Sequence, residues 1–132
     1  MGLTLTLDEQ VRRDFQKYLG VAMEPAEVVV AKRDDGSEVK RHFDLVSVDH
    51  GIIGSIQTSC LHVKSRPGQK AYGSLYRVLG AILYLHLCTR CTERYLILTD
   101  HEMYEEITSE FGRAFQNIIF LYYDDIRKGK TS

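Results

Sequence analysis

The chain has 132 residues, 44% apolar and 27% charged, a length and balance that fit one domain over 1–132 with a core of its own. A net charge of −1 and a pI near 6.5 exclude a global basic field that would draw in nucleic acid, so any such contact rests on a local patch. Three cysteines, an odd number, speak against a disulfide framework and for a reducing, cytoplasmic setting.

The opening MGLTLTLDEQ lacks the basic and apolar regions of a signal peptide and matches a loose myristoylation pattern through Gly2 and Thr6. Thr6 also has a structural use: with Glu9 it forms an S/T-x-x-E capping box. Leu7, Val11, Phe15 and Leu19 then make one apolar stripe, and Gly20 stops the predicted helix. EVVVAKR reads as a strand, DDGS as a turn at Gly36, and EVKRHFDLVSV with GIIGSIQTS as a hairpin over 38–48 and 51–59.

SRPGQ breaks the chain before a helix over 70–88 that is apolar nearly all round and carries no Asp or Glu. Such a helix needs cover on both sides, from the core or from a second copy, so a homo-oligomer is expected. Its longest near-uncharged run, 78–88, is too short to cross a bilayer, and no membrane association is expected. RYLILTD reads as a strand buried on both faces, EMYEEITSEFG as an amphipathic helix, NIIFLYY as a last strand, and KGKTS as a frayed end. The order αβββαβαβ predicts an α/β (α+β) fold with a mixed central sheet flanked by helices.

A two-residue loop at Asp49 and His50 sets the hairpin register, placing Asp44 opposite Ser55 and His42 across from Gln57. His42, Asp44, Val46, Ile53, Ser55 and Gln57 then share one face; Phe43, Leu45, Ile52 and Ile56 share the other.

An acid on the second strand of an αβββαβ core, followed by a short motif on the third, resembles the PD-(D/E)XK, or restriction-endonuclease-like, nuclease superfamily. The resemblance covers 6 to about 99 and rests on FDLVS and IIGSIQTS. It implies that Asp44 is the metal-binding acid, that Ser55 stands at the second-acid position and that Gln57 stands at the lysine position. It also makes Glu9 a counterpart of the first-helix acid of some members, and Lys70 a migrated lysine. Mg²⁺ or Mn²⁺ is the implied cofactor of an active site of this kind.

The departures have chemical weight. One carboxylate beside a hydroxyl holds a hard divalent ion weakly, and a carboxamide supplies no positive charge to a developing phosphorane-like anion. The expected function is therefore a binding or interaction module derived from a nuclease, with no metal cofactor. The alternatives are an active phosphodiesterase using Asp44 and Gln57, and a small cytoplasmic dimeric α/β protein without nucleic-acid role. Lys64, Arg66, Lys70 and Arg77 form the candidate nucleic-acid-binding patch.

Each of these residues has a plainer reading beside the functional one. Asp44 reads equally as a strand aspartate bonded to its neighbours, and Glu9 as a capping residue. His42 reads as an edge histidine or as a general base. Tyr72, Tyr76 and Tyr84 lie at helical spacing and suit packing or an interface. Cys88 and Cys91 have zinc-knuckle spacing that Cys60 and His62 would complete, although Cys88 continues an apolar helix.

Overall fold

The structure, a computed structural model, describes residues 4–66 and 68–129. Gly2, Pro67 and the last three residues of KGKTS lie outside them. The order is α1 (Leu7–Leu19), β1 (Met23–Lys32), β2 (Glu38–Ser47), β3 (Ile52–Gln57), α2 (Tyr72–Leu87), β4 (Glu93–Leu98), α3 (His101–Phe111), β5 (Ile119–Tyr122) and α4 (Tyr123–Arg127). One sheet contains all five strands in the order β1-β2-β3-β4-β5. The first three pair antiparallel, and β4 and β5 then add in parallel. The predicted mixed sheet flanked by helices is thus observed, with α4 as an addition.

Two apolar clusters divide the faces. On one, Val78, Ile82 and Leu85 of α2 and Met103 and Ile107 of α3 pack on Phe43, Val46, Ile53, Leu96 and Leu98. On the other, Val11 and Phe15 of α1 and Tyr123 and Ile126 of α4 pack on Leu45, Ile56, Tyr95 and Ile97. β4 therefore buries side chains on both faces, as its unbroken apolar run requires. The parallel steps from β3 to β4 and β5 need crossovers, and α2 and α3 supply them over one face.

Local chemistry explains the elements. Thr6 Oγ accepts the Glu9 N–H at 3.2 Å and donates to the Glu9 carboxylate at 3.1 Å, and Gly20 closes α1 at φ 75°. Asp100 caps α3 by accepting the Met103 N–H at 3.0 Å, and the same oxygen takes the Leu61 N–H at 3.0 Å. The last carbonyls of α2 are met by Arg94, whose Nε donates to Leu85 O at 3.0 Å and whose guanidinium also reaches Cys88 O. Pro25 sits in β1, an edge strand, where its missing N–H costs no ladder bond.

No described helix is long and apolar enough to cross a membrane.

Candidate functional site at the β2–β3 fork

The β2–β3 turn is wider than the sequence suggests. Ser47 O accepts the His50 N–H at 2.9 Å, and His50 stands at φ 60°. Ser47 Oγ accepts the Ile52 N–H at 3.0 Å and donates to Asp49 at 2.7 Å; Asp49 also accepts the Gly51 N–H at 2.9 Å. Those bonds, the Ser47 hydroxyl first, hold the Asp49 carboxyl below its ordinary value. The loop is Val48–Gly51 rather than two residues. Because each strand ends earlier by similar amounts, the register is unchanged: Val46 pairs with Ile53 and Leu45 with Gly54. Asp44 is next in line with Ser55.

The ladder stops there, and the reason lies on the far side of β2. Val46 pairs with Glu24 and Phe43 with Ala26, so β2 carries one residue more than β1 between those points. This bulge, at Asp44 and Leu45, corrects the predicted faces. Phe43 joins Val46 in the α2–α3 core instead of following Leu45 to the α1 side. Leu45, Ile52 and Ile56 do share the α1 side. His42, placed across from Gln57 by the sequence, is paired in the sheet with Glu27 of β1.

Beyond the last β2–β3 pair, the half-buried Asp44 side chain takes over from the backbone. Its Oδ2 accepts the Ile56 N–H at 2.8 Å. Burial raises its pKa above the ordinary carboxyl value, against the lowering effect of the Ile56 N–H. The Asp8 charge on α1 raises it further, and His42 and the Ser55 hydroxyl lower it. Ser55 is buried, and its Oγ accepts a proton of the Gln57 amide at 2.8 Å. The backbone of Gln57 is tied to the chain after β4, its main-chain carbonyl accepting the Thr99 N–H at 3.2 Å. Asp44, Ser55 and Gln57 are therefore brought together at one fork.

The other predicted residues have different surroundings. Glu9 is spent in the helix cap, and the α1 acid whose charge reaches Asp44 is its neighbour Asp8. Lys70 is paired with Glu106 of α3. Lys64 and Arg66 are exposed on the 61–70 loop, and Arg77 is exposed on α2.

Cys88 and Cys91 are buried in the α2–α3 core, where burial, with Cys88 beside it, pushes the Cys91 thiol up to about 11. Cys60 is exposed. His62 pairs with Glu102. Among the described residues, no group of three or more His, Cys, Asp or Glu side chains is placed to hold a metal ion. The zinc set suggested by spacing is thus not assembled among them.

The donor set at the fork does not fit a magnesium or manganese centre of the nuclease kind. It offers one carboxylate with an oxygen already bonded to an N–H, a hydroxyl and a carboxamide. What it can do is hydrogen-bond: the half-buried Asp44 carboxylate accepts, and the Ser55 hydroxyl and Gln57 amide both donate and accept. The chain matches no protein-family model, no curated protein and no solved structure.

Proposed function

We propose that this chain is a restriction-endonuclease-like domain that has lost metal-dependent cleavage and serves in the cytoplasm as a binding module. Two features support the likeness: the αβββαβ order around a mixed sheet, and an acid on the second strand facing the motif strand at the point where the two part. The observation that carries the loss of cleavage is the pairing of Asp44 with neutral Ser55 and Gln57. Among the described residues, the charges that act on the Asp44 carboxyl are those of Asp8 and His42, and Lys70 is held by Glu106. A phosphoryl transition state there would lack both a second strand carboxylate and a cation.

The test is cleavage of single- and double-stranded DNA and RNA with Mg²⁺ or Mn²⁺. We expect no turnover above that of the Asp44→Ala variant. Metal-dependent cleavage abolished by Asp44→Ala would overturn the proposal in favour of an active phosphodiesterase. One observation favours that second reading: the charge of a second carboxylate, Asp8 of α1, acts on the Asp44 carboxyl and raises its pKa. Asp8→Ala then distinguishes the two, since an active site using both acids loses its activity with either.

If nucleic acid is the partner, Lys64, Arg66 and Arg77 are the available phosphate contacts, and affinity should fall steeply with salt. If a protein is the partner, salt should matter far less.

A further inference from the structure

Helix α2 was expected to need cover on both sides, and its own fold covers only one. Val78, Ile82 and Leu85 face the core. On the opposite side Tyr72 is 56% exposed, Tyr76 64%, Leu83 50% and Leu87 40%. These are four of the seven large apolar side chains that stand exposed among the described residues, and they lie on one helix. At 3.6 residues per turn, Tyr72, Tyr76, Gly80, Leu83 and Leu87 fall within a single narrow stripe. The stripe carries no charged residue.

We infer that this stripe is the contact surface for a second copy of the chain, with the two α2 helices crossing antiparallel at Gly80. The order of residues along it carries the choice of occupant. A two-fold interface must be complementary to itself, so that each residue meets the one related to it by the axis. With the axis between residues 79 and 80, Tyr76 lies against Leu83 of the second copy and Tyr72 against its Leu87. Both tyrosines stand before the axis and both leucines after it, at matching distances. Every aromatic ring thus lands on a leucine, and neither end of the stripe is left without a partner.

Gly80 supports the same crossing. A Cβ added there would meet nothing within 4 Å in its own chain. Nothing in the fold therefore requires glycine at mid-helix, where alanine is the better helix former. At the crossing point its missing side chain lets two backbones approach. The absence of charge along the stripe removes the need for a partner of opposite sign and matches the interior of an interface.

The size is adequate for the centre of a contact. Taking about 200 Å² for a large side chain, the four present on the order of 400 Å² per copy. A standard interface buries about 800 Å² per partner, so the remainder falls to a rim that includes Arg77 and His86. This inference is independent of the chemistry at the Asp44 fork.

Sedimentation of the full chain at tens of micromolar tests it. The expected mass is twice the 15.2 kDa of one chain, and it should persist in molar salt because no ion pair sustains the contact. Leu83→Glu and Tyr76→Glu replace exposed side chains, and each should give a folded monomer by circular dichroism and sedimentation. Gly80→Cys in a Cys60→Ser background should cross-link to its own copy when oxidised glutathione is added, whereas Glu110→Cys on α3 should not. A monomeric mass at that concentration would overturn the inference, leaving the stripe to another protein. A dimer unaffected by Leu83→Glu, or cross-linked equally through Glu110→Cys, would place the contact elsewhere and overturn it as well.

Discussion

The carboxylate of Asp44 accepts the backbone N–H of Ile56 at 2.8 Å, in the position where the β2–β3 ladder would otherwise offer a carbonyl. The acid that the sequence suggests as a metal ligand is thus also the group that closes the fork between the strands. Its two roles compete: an oxygen that holds a buried N–H is poorly available to an ion.

The pH dependence of stability should carry the mark of this burial. Burial raises the folded-state pKa of Asp44 above its ordinary value of 3.8. The folded chain therefore binds this proton more tightly than the unfolded chain. The contribution of Asp44 to stability is most favourable when the group is protonated, and declines as pH rises from 3.8 through the raised folded value. Asp44→Asn keeps an acceptor for Ile56 and removes the charge, so it should flatten that slope and melt no lower than the wild type at neutral pH. Asp44→Ala leaves the Ile56 N–H without its acceptor and should cost about 1–3 kcal/mol. Thermal melts of the three proteins between acid and neutral pH measure both effects.

Asp8 and Glu9 should separate cleanly. Asp8→Asn removes a charge that raises the Asp44 pKa, so the Asp44 carboxyl should titrate lower in that variant. Glu9→Gln should leave the Asp44 titration in place, because Glu9 is engaged with Thr6. Thr6→Ala should instead lower overall stability by about 1 kcal/mol through the lost cap. Carboxyl titration by NMR, with a denaturant melt for Thr6→Ala, checks all three.

These residues also mark how far the sequence could be read. The capping box at Thr6 and the buried run of β4 were legible because each follows from local periodicity or capping chemistry, and the Leu45–Gly54 register survived a misread turn because both strands end earlier by similar amounts. The bulge at Asp44 and Leu45 was not, because it arises from the pairing of β2 with β1 around Pro25, far away in sequence. That bulge is what moves Phe43 to the opposite face. The choice of Asp8 over Glu9 depends on how α1 lies across the sheet, which helix periodicity alone leaves open. Helix α4 was missed for a related reason. It is five residues long, and its tie to α1 is the tertiary bond from the Tyr123 hydroxyl to Asp14, at 2.6 Å.

Arg94 should prove more important than its partly exposed position suggests. It bonds Leu85 O, left free at the end of α2, and Cys88 O just beyond it, which also accepts the Cys91 thiol. Arg94→Ala should destabilise the chain by about 1–3 kcal/mol, and Arg94→Lys should recover only part of this because an ammonium lacks the planar fork. Urea denaturation monitored by circular dichroism gives both values.

Gly54 sets how closely the strands behind the fork can pack. A Cβ there would lie 2.9 Å from Leu45 Cδ1 and 3.2 Å from Tyr95 O. Gly54→Ala should therefore cost about 1–3 kcal/mol by overpacking, although alanine is an acceptable strand residue. A denaturant midpoint equal to that of the wild type would contradict the close approach.

The central claim, that Asp44, Ser55 and Gln57 are the altered positions of a nuclease motif, is tested most directly by restoring them. Ser55→Glu with Gln57→Lys places a second carboxylate at the fork, where the Ser55 hydroxyl already acts on the Asp44 carboxyl. Two acids beside one another can grip one hard divalent ion, and the lysine would stand two residues along the same strand. Titration calorimetry with Mn²⁺ on the folded double variant is the measurement. The double variant should show binding that the wild type lacks, accompanied by a melting temperature that rises with Mn²⁺ concentration. A folded double variant that binds no more Mn²⁺ than the wild type would contradict the claim.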